Sequence, residues 1–145
     1  MNKKIITAFM LLGMTLYASD LVQMKSSIGV DACVDAMQKT IYSKKGFGVF
    51  AVIDHRKNAQ KVGLDLPAQK VIIFGNPKAG TMLMKADAQI GYDLPLRIMV
   101  RQSGKQTVIE YRDPLVYSDN YHINKSPLPQ KMHKLLGIIA ASCQK

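Results

Sequence analysis

The chain is short of the residues that small enzymes most often use. Glutamate occurs once, at Glu110, in a stretch that reads as a hairpin strand, so a zinc protease with a glutamate base is excluded. Cysteine occurs twice, as Cys33 and Cys143, which excludes four-thiolate zinc, a Cys-x-x-Cys redox pair and a Cys-x-x-Cys-His haem attachment. A serine nucleophile has no Gly-x-Ser-x-Gly elbow to sit on. Gly46-Phe47-Gly48 lacks the third glycine of a dinucleotide fingerprint and precedes a strand, and no phosphate loop is present. Long apolar runs are scarce as well. The only extended one, Ile5 to Leu16, is about a dozen residues, against roughly twenty needed to span a bilayer.

That run has another use. Lys3 and Lys4 precede it and Leu16-Tyr17-Ala18 follows, the pattern of a secretory signal peptide over residues 1–18, cut after Ala18. The expectation is a periplasmic protein whose residues 19–145 form a single domain. Cleavage removes two lysines and no acid from a formal charge of +10. The remaining lysines are scattered, among them Lys25, Lys57, Lys85 and Lys125, rather than gathered into one run. Together with export, this argues against a nucleic-acid partner. It suits a solvated basic surface that can rest weakly on anionic membrane or attract an anionic ligand.

Periodicity gives the order βαβαβαββα. A short strand, Leu21 to Lys25, precedes a helix capped by Ser26 or Ser27, with Val30, Cys33, Val34, Met37 and Ile41 at helical spacing and Gly46 ending it. Phe47 to Ile53 reads as a covered strand, and Asp54 as the cap of a helix from His55 to Val62. After the strand Lys70 to Phe74, Asn76 and Pro77 open a helix extending to Ala88. Leu94 to Gln102 and Lys105 to Arg112 form a hairpin across Ser103-Gly104. An irregular stretch from Pro114 to Lys125 leads to a last helix beginning at Ser126-Pro127, with Met132, Leu135, Leu136, Ile139 and Cys143 on its apolar face. The expected fold class is α+β, a two-layer sandwich of a mostly antiparallel sheet with helices on one face.

Several of these pieces occur together in a known order. They are Gly46-Phe47-Gly48 with Ile53-Asp54-His55, then Val62-Gly63-Leu64-Asp65-Leu66-Pro67, then Phe74-Gly75-Asn76-Pro77. Gly80-Thr81, Gly91-Tyr92-Asp93-Leu94-Pro95-Leu96 and Tyr111-Arg112-Asp113-Pro114 follow. On these motifs the chain resembles the bacterial Domain of Unknown Function 302 family. The resemblance implies a small α+β domain able to pair into homodimers, and it supplies no catalytic residues to carry over.

In an oxidising compartment two cysteines most often bond, and both lie on apolar faces of helices that a two-layer fold can bring side by side. A Cys33–Cys143 disulfide is expected, with two buried thiols as the alternative.

The candidate sites follow from side-chain chemistry. His55 stands in the first turn of its helix beside Asp54, where the macrodipole disfavours the imidazolium, so a neutral ring could bind metal or act as a base. His122 lies in an irregular stretch near Tyr117 and Tyr121, and His133 is displaced from the apolar face toward solvent. Met82, Met84 and Met99 suit core filling better than a soft-metal site. Asn76 opens a helix whose first N–H groups can meet an anion.

The residues favour a periplasmic, non-enzymatic binding or accessory domain. Its partner would be a small molecule or another periplasmic protein, and the ligand-lining residues would be Asn76, Met82, Met84, Tyr92, Tyr121 and His122. The alternatives are a haem or metal protein using His55 and/or His122, and a small hydrolase or isomerase using Asp54 with His55. The identity of any cofactor stays open at this point.

Overall fold

Alternation along the strands decides the architecture. In Leu96–Ser103, the residues Leu96, Ile98 and Val100 are buried while Arg97 is exposed and Arg101 half-buried, so one face of this strand faces a core. The computed structural model describes residues 20–123 and 125–144. The expected signal peptide, residues 1–18 with its cut after Ala18, lies outside the described residues.

Five strands, β1 (Leu21–Ser26), β2 (Gly48–Asp54), β3 (Gln69–Gly75), β4 (Leu96–Ser103) and β5 (Gln106–Arg112), form one sheet in the order β1-β5-β4-β3-β2. Every pairing is antiparallel. Register stacks Met24, Ile109, Val100, Ile98 and Ile72 on one face, and it is this face that the helices cover. The helices are α1 (Val30–Tyr42), α2 (His55–Lys61), α3 (Pro77–Ala86), the single turn α4 (Tyr117–Asn120) and α5 (Leu128–Ala141).

Helix α1 buries Val30, Cys33, Val34, Met37 and Ile41, the stripe read from spacing, and packs over β2, β3 and β4. Helix α5 adds Met132, Leu136, Ile139 and Ala140. Full burial of one such aliphatic side chain stabilises by about 1.5–3 kcal/mol, so these two stripes, packed on Ile72, Phe74, Ile98, Val100 and Ile109 of the sheet, are a large part of the core. The α+β two-layer reading therefore stands, with a wholly antiparallel sheet.

Three local expectations need correction. Ser26 and Ser27 do not cap α1, whose N-cap is Gly29 with no side-chain bond. Ser26 is instead buried at the end of β1, where its Oγ donates to the Cys143 carbonyl at 2.5 Å and accepts from the Ile28 N–H. Helix α3 stops at Ala86 rather than Ala88, because the Asp87 carboxylate accepts the Gln89 N–H and starts a 3-10 turn over Ala88–Tyr92. His133 does not face open solvent; it is half-buried, with ring Nδ1 2.9 Å from Asp113 Oδ1.

On the face that these helices leave uncovered, Glu110 is 5% exposed. The Arg101 guanidinium grips it with two bonds of 2.8 and 2.9 Å, and the Gln23 amide adds a third. The Arg101 bonds hold the Glu110 carboxyl below its usual range, which lets a carboxylate lie flat on a sheet without open solvent around it.

Cys33 and Cys143 are bonded to each other, with their Cα atoms 4.7 Å apart, and both are fully buried. The same corner holds the Ser26–Cys143 bond and a bond of 2.7 Å from the Gln144 amide to the Lys25 carbonyl. The disulfide closes a loop with a sequence separation of 110, so in the chain-entropy picture it contributes about 4–5 kcal/mol. Reduction under native conditions is expected to lower Tm by at least about 10 °C, measured by circular dichroism with and without reductant. Equal melting temperatures would show that the bond does not staple the fold.

Candidate functional site

Where β3 ends, Asn76 turns the chain into α3. Its side-chain Oδ1 accepts the Ala79 N–H at 3.1 Å, and Pro77 takes the first helical position, where no N–H is needed. The Asn76 side chain also packs on Gly46, the glycine that follows α1 with φ +79°; a Cβ there would lie 2.7 Å from Asn76 Nδ2. Only glycine takes this conformation freely and leaves this room. Helix α3 begins from that contact and buries one residue, Leu83. Its remaining apolar side chains do not close against the core, and between α3 and the first half of α5 lies a cavity of about 570 Å³.

The ends of β3 and β4 contribute Gly75, Pro95 and Leu96 to its lining. Helix α3 adds Ala79, Gly80 and Met84, and α5 adds Leu128, Met132 and Leu135. The last three, with Lys131, fall at the i, i+3, i+4, i+7 spacing of a single helical stripe. Phe47 and Phe50 complete the apolar part. Phe50 sits where the β2 register shifts between Val49 and Ala51, and its ring lies 3.4 Å from where a Cβ on Gly75 would be. Polar groups are few: Asn76, Thr81, Lys44 and Lys131. Among the described residues no acidic side chain lines the cavity.

Of the residues expected to hold a ligand, Asn76 and Met84 line this cavity. Met82 and Tyr92 do not, and are 58% and 89% exposed. Tyr121 and His122 belong to a separate polar cluster. The Tyr121 hydroxyl donates to Asp93 Oδ2 at 2.6 Å, which pushes its pKa up to about 12. Tyr117, packed edge-on against Tyr121, is also pushed up to about 12, chiefly by burial. Both phenols are hydrogen-bond donors at neutral pH, not bases. Asp87 accepts the backbone N–H of His122 at 2.9 Å, and that bond leads in lowering its carboxyl pKa; the ring Nδ1 lies 3.1 Å from the same oxygen.

His55 is half-buried at the start of α2, outside the cavity lining. The neighbouring Asp54 carboxylate is occupied elsewhere: it accepts the Lys57 N–H at 2.9 Å and pairs with Lys70 at 3.5 Å. The Lys57 bond is the main reason its carboxyl is held below the usual range. Among the described residues Asp54 makes no bond to the His55 ring, and no group of three or more His, Cys, Asp or Glu side chains is placed to hold a metal. The Asp54-His55 pair is thus a helix cap beside a histidine, and His55 and His122 have no shared site.

Sequence reasoning overlooked Lys44, Phe47, Phe50, Leu128 and Lys131. The Leu128-Lys131-Met132-Leu135 stripe was visible as spacing, but spacing alone does not tell a sealed face from one overhanging a void. Phe50 carried no signal, because a bulge breaks the alternation that would have assigned its face.

Comparison with known proteins fits this architecture. The family model described as "Domain of unknown function DUF302" matches residues 22–140, and the chain belongs to that family. The crystal structure of an uncharacterized conserved DUF302 protein from Bacillus stearothermophilus superposes with a TM-score of 0.73 at 20% identity, covering 88% of this chain and 100% of that one. A protein of Brucella suis biovar 1 named "Fluoride-specific ion channel FluC 1" is 38% identical over 82 residues, 56% of this chain and 32% of the relative. A protein of the same name from Brucella abortus biovar 1 is 38% identical over 82 residues, 30% of its length. The chain spans about a third of the length of these curated relatives.

The contact between Gly46 and Asn76 is testable. Gly46→Ala forces a left-handed residue against the Asn76 side chain, and is expected to destabilise by about 1–3 kcal/mol in denaturant unfolding. Gly80→Ala, whose added Cβ would meet Leu94 and Met84 at ordinary distances of 3.8 and 3.9 Å, is expected to stabilise by about 0.5–1 kcal/mol as a helix-interior glycine replacement.

Proposed function

We propose that this member of the Domain of unknown function DUF302 family is a non-enzymatic binding domain that holds a small, mostly apolar ligand between α3 and α5. The observation that carries this is the cavity of about 570 Å³, which falls within the ~300–1,000 Å³ of small-molecule sites and has their composition, apolar walls with a few polar groups. Lining side chains such as Phe50 and Met84 are partly exposed to water, so a bound apolar molecule would remove apolar surface from solvent.

The proposal includes export to the periplasm through the amino-terminal signal, and partners that are a small molecule or a periplasmic protein rather than nucleic acid. Weak contact with anionic membrane and pairing into a homodimer are compatible with it. The stretch shared with two proteins named as fluoride channels supports the accessory side of the proposal, a domain that works beside a membrane protein. The cavity itself is a poor site for a small hydrated anion, which would have to shed its water among apolar side chains. The haem or metal alternative gains nothing from the geometry, since neither His55 nor His122 lines the cavity.

Native mass spectrometry of the protein purified from its own host without added ligand is expected to show a reproducible extra mass. Gly80→Leu, which projects a side chain into the cavity from α3, is expected to abolish that mass while leaving the circular dichroism spectrum unchanged. An adduct that survives Gly80→Leu in a folded protein would place the ligand elsewhere.

A further inference from the structure

The charges around the cavity narrow the ligand further, given the binding function just proposed. Lys44 and Lys131 are its only charged lining residues among those described, and they come from different elements, the turn after α1 and the second turn of α5. Neither ammonium has a carboxylate within 4.0 Å among the described residues. Lys44 is half-buried nonetheless, while Lys131 is exposed. The contrast is Lys70, also partly buried, which is paired with Asp31 at 2.6 Å and Asp54 at 3.5 Å. Cations set against apolar surface without a counter-ion attract an anion, because low-dielectric walls strengthen the field in the cleft.

We infer that the cavity takes a single-chain amphipathic anion: an alkyl chain along the apolar walls, ending in a carboxylate or phosphate held by Lys44 and Lys131. The rest of the lining fits this division. Met84, Met132 and Leu135 are flexible apolar side chains that adapt to a chain of methylenes, and Phe50 offers an aromatic surface. The lysine stems extend the apolar wall while their heads reach water. An uncharged oil would leave both ammonium groups unmatched. A bare inorganic anion would leave the apolar walls empty, and the Ala79 N–H at the start of α3 is already taken by Asn76.

The test is isothermal titration of the purified full chain with laurate and with dodecanol, which share a chain and differ in charge. Laurate is expected to bind at least tenfold more tightly at low salt, with the advantage shrinking as salt is raised. In Lys44→Gln/Lys131→Gln that advantage is expected to vanish while dodecanol binding persists, which also shows that the variant is folded. Equal affinity for the two compounds, or an advantage unchanged in the double variant, would overturn the anionic head group and leave the cavity a site for neutral ligands. Binding of neither compound would overturn the cavity as a site for alkyl-chain ligands. Flotation with phosphatidylglycerol vesicles separates the two sources of such an anion. Laurate binding without flotation assigns a free amphiphile, and flotation that depends on both lysines assigns a membrane lipid.

Discussion

The Cys33–Cys143 bond sets the geometry on which the rest of this domain depends. It ties the amino-terminal half of α1 to the turn that follows α5, with the buried Ser26 hydroxyl and the Gln144 amide reinforcing the same corner. The two helices that cover the sheet are therefore clamped at one end. At that end Cys33, Met37, Ile139 and Ala140 are fully buried. At the other end, where α1 runs out into Lys44 and α5 begins at Leu128, nothing covalent holds the layers together, and there the cavity opens.

Charge follows the same division. Away from the cavity, two partly buried charges are matched by ion pairs. Glu110 lies in the fork of Arg101, and Lys70 is shared by Asp31 and Asp54. Two histidine rings also lie beside carboxylates, His122 by Asp87 and His133 by Asp113. At the cavity, Lys44 and Lys131 stand without such partners among the described residues. Other lysines also lack an ion pair among the described residues; what sets Lys44 and Lys131 apart is their place on an apolar cavity wall, where a partner from outside is expected.

Much of the fold was legible because its elements carry strong local signals. The α1 stripe from Val30 to Ile41, the Asp54 and Asn76 caps and the Ser103-Gly104 turn all act through neighbours in sequence. Ser26 was misread because its hydroxyl serves a partner far along the chain, Cys143, instead of the adjacent helix. The site was harder to read. Asn76 and Met84 were singled out, but for a helix terminus and for methionine chemistry, whereas their shared property is position beside a void. Tyr92 and Met82 were drawn in by residue type and proved exposed. A cavity is a failure of packing between α3 and α5, and no single segment encodes it.

If the space between α3 and α5 is a binding site, methionine methyl groups report on it directly. In a carbon-13 methyl-methionine NMR titration with laurate, the Met84 and Met132 resonances are expected to shift together and saturably. Met82, exposed on α3, and Met99, on the uncovered sheet face, are expected to stay in place. Shifts confined to Met82 or Met99, or no shift at Met84 and Met132 at saturating laurate, would contradict the account.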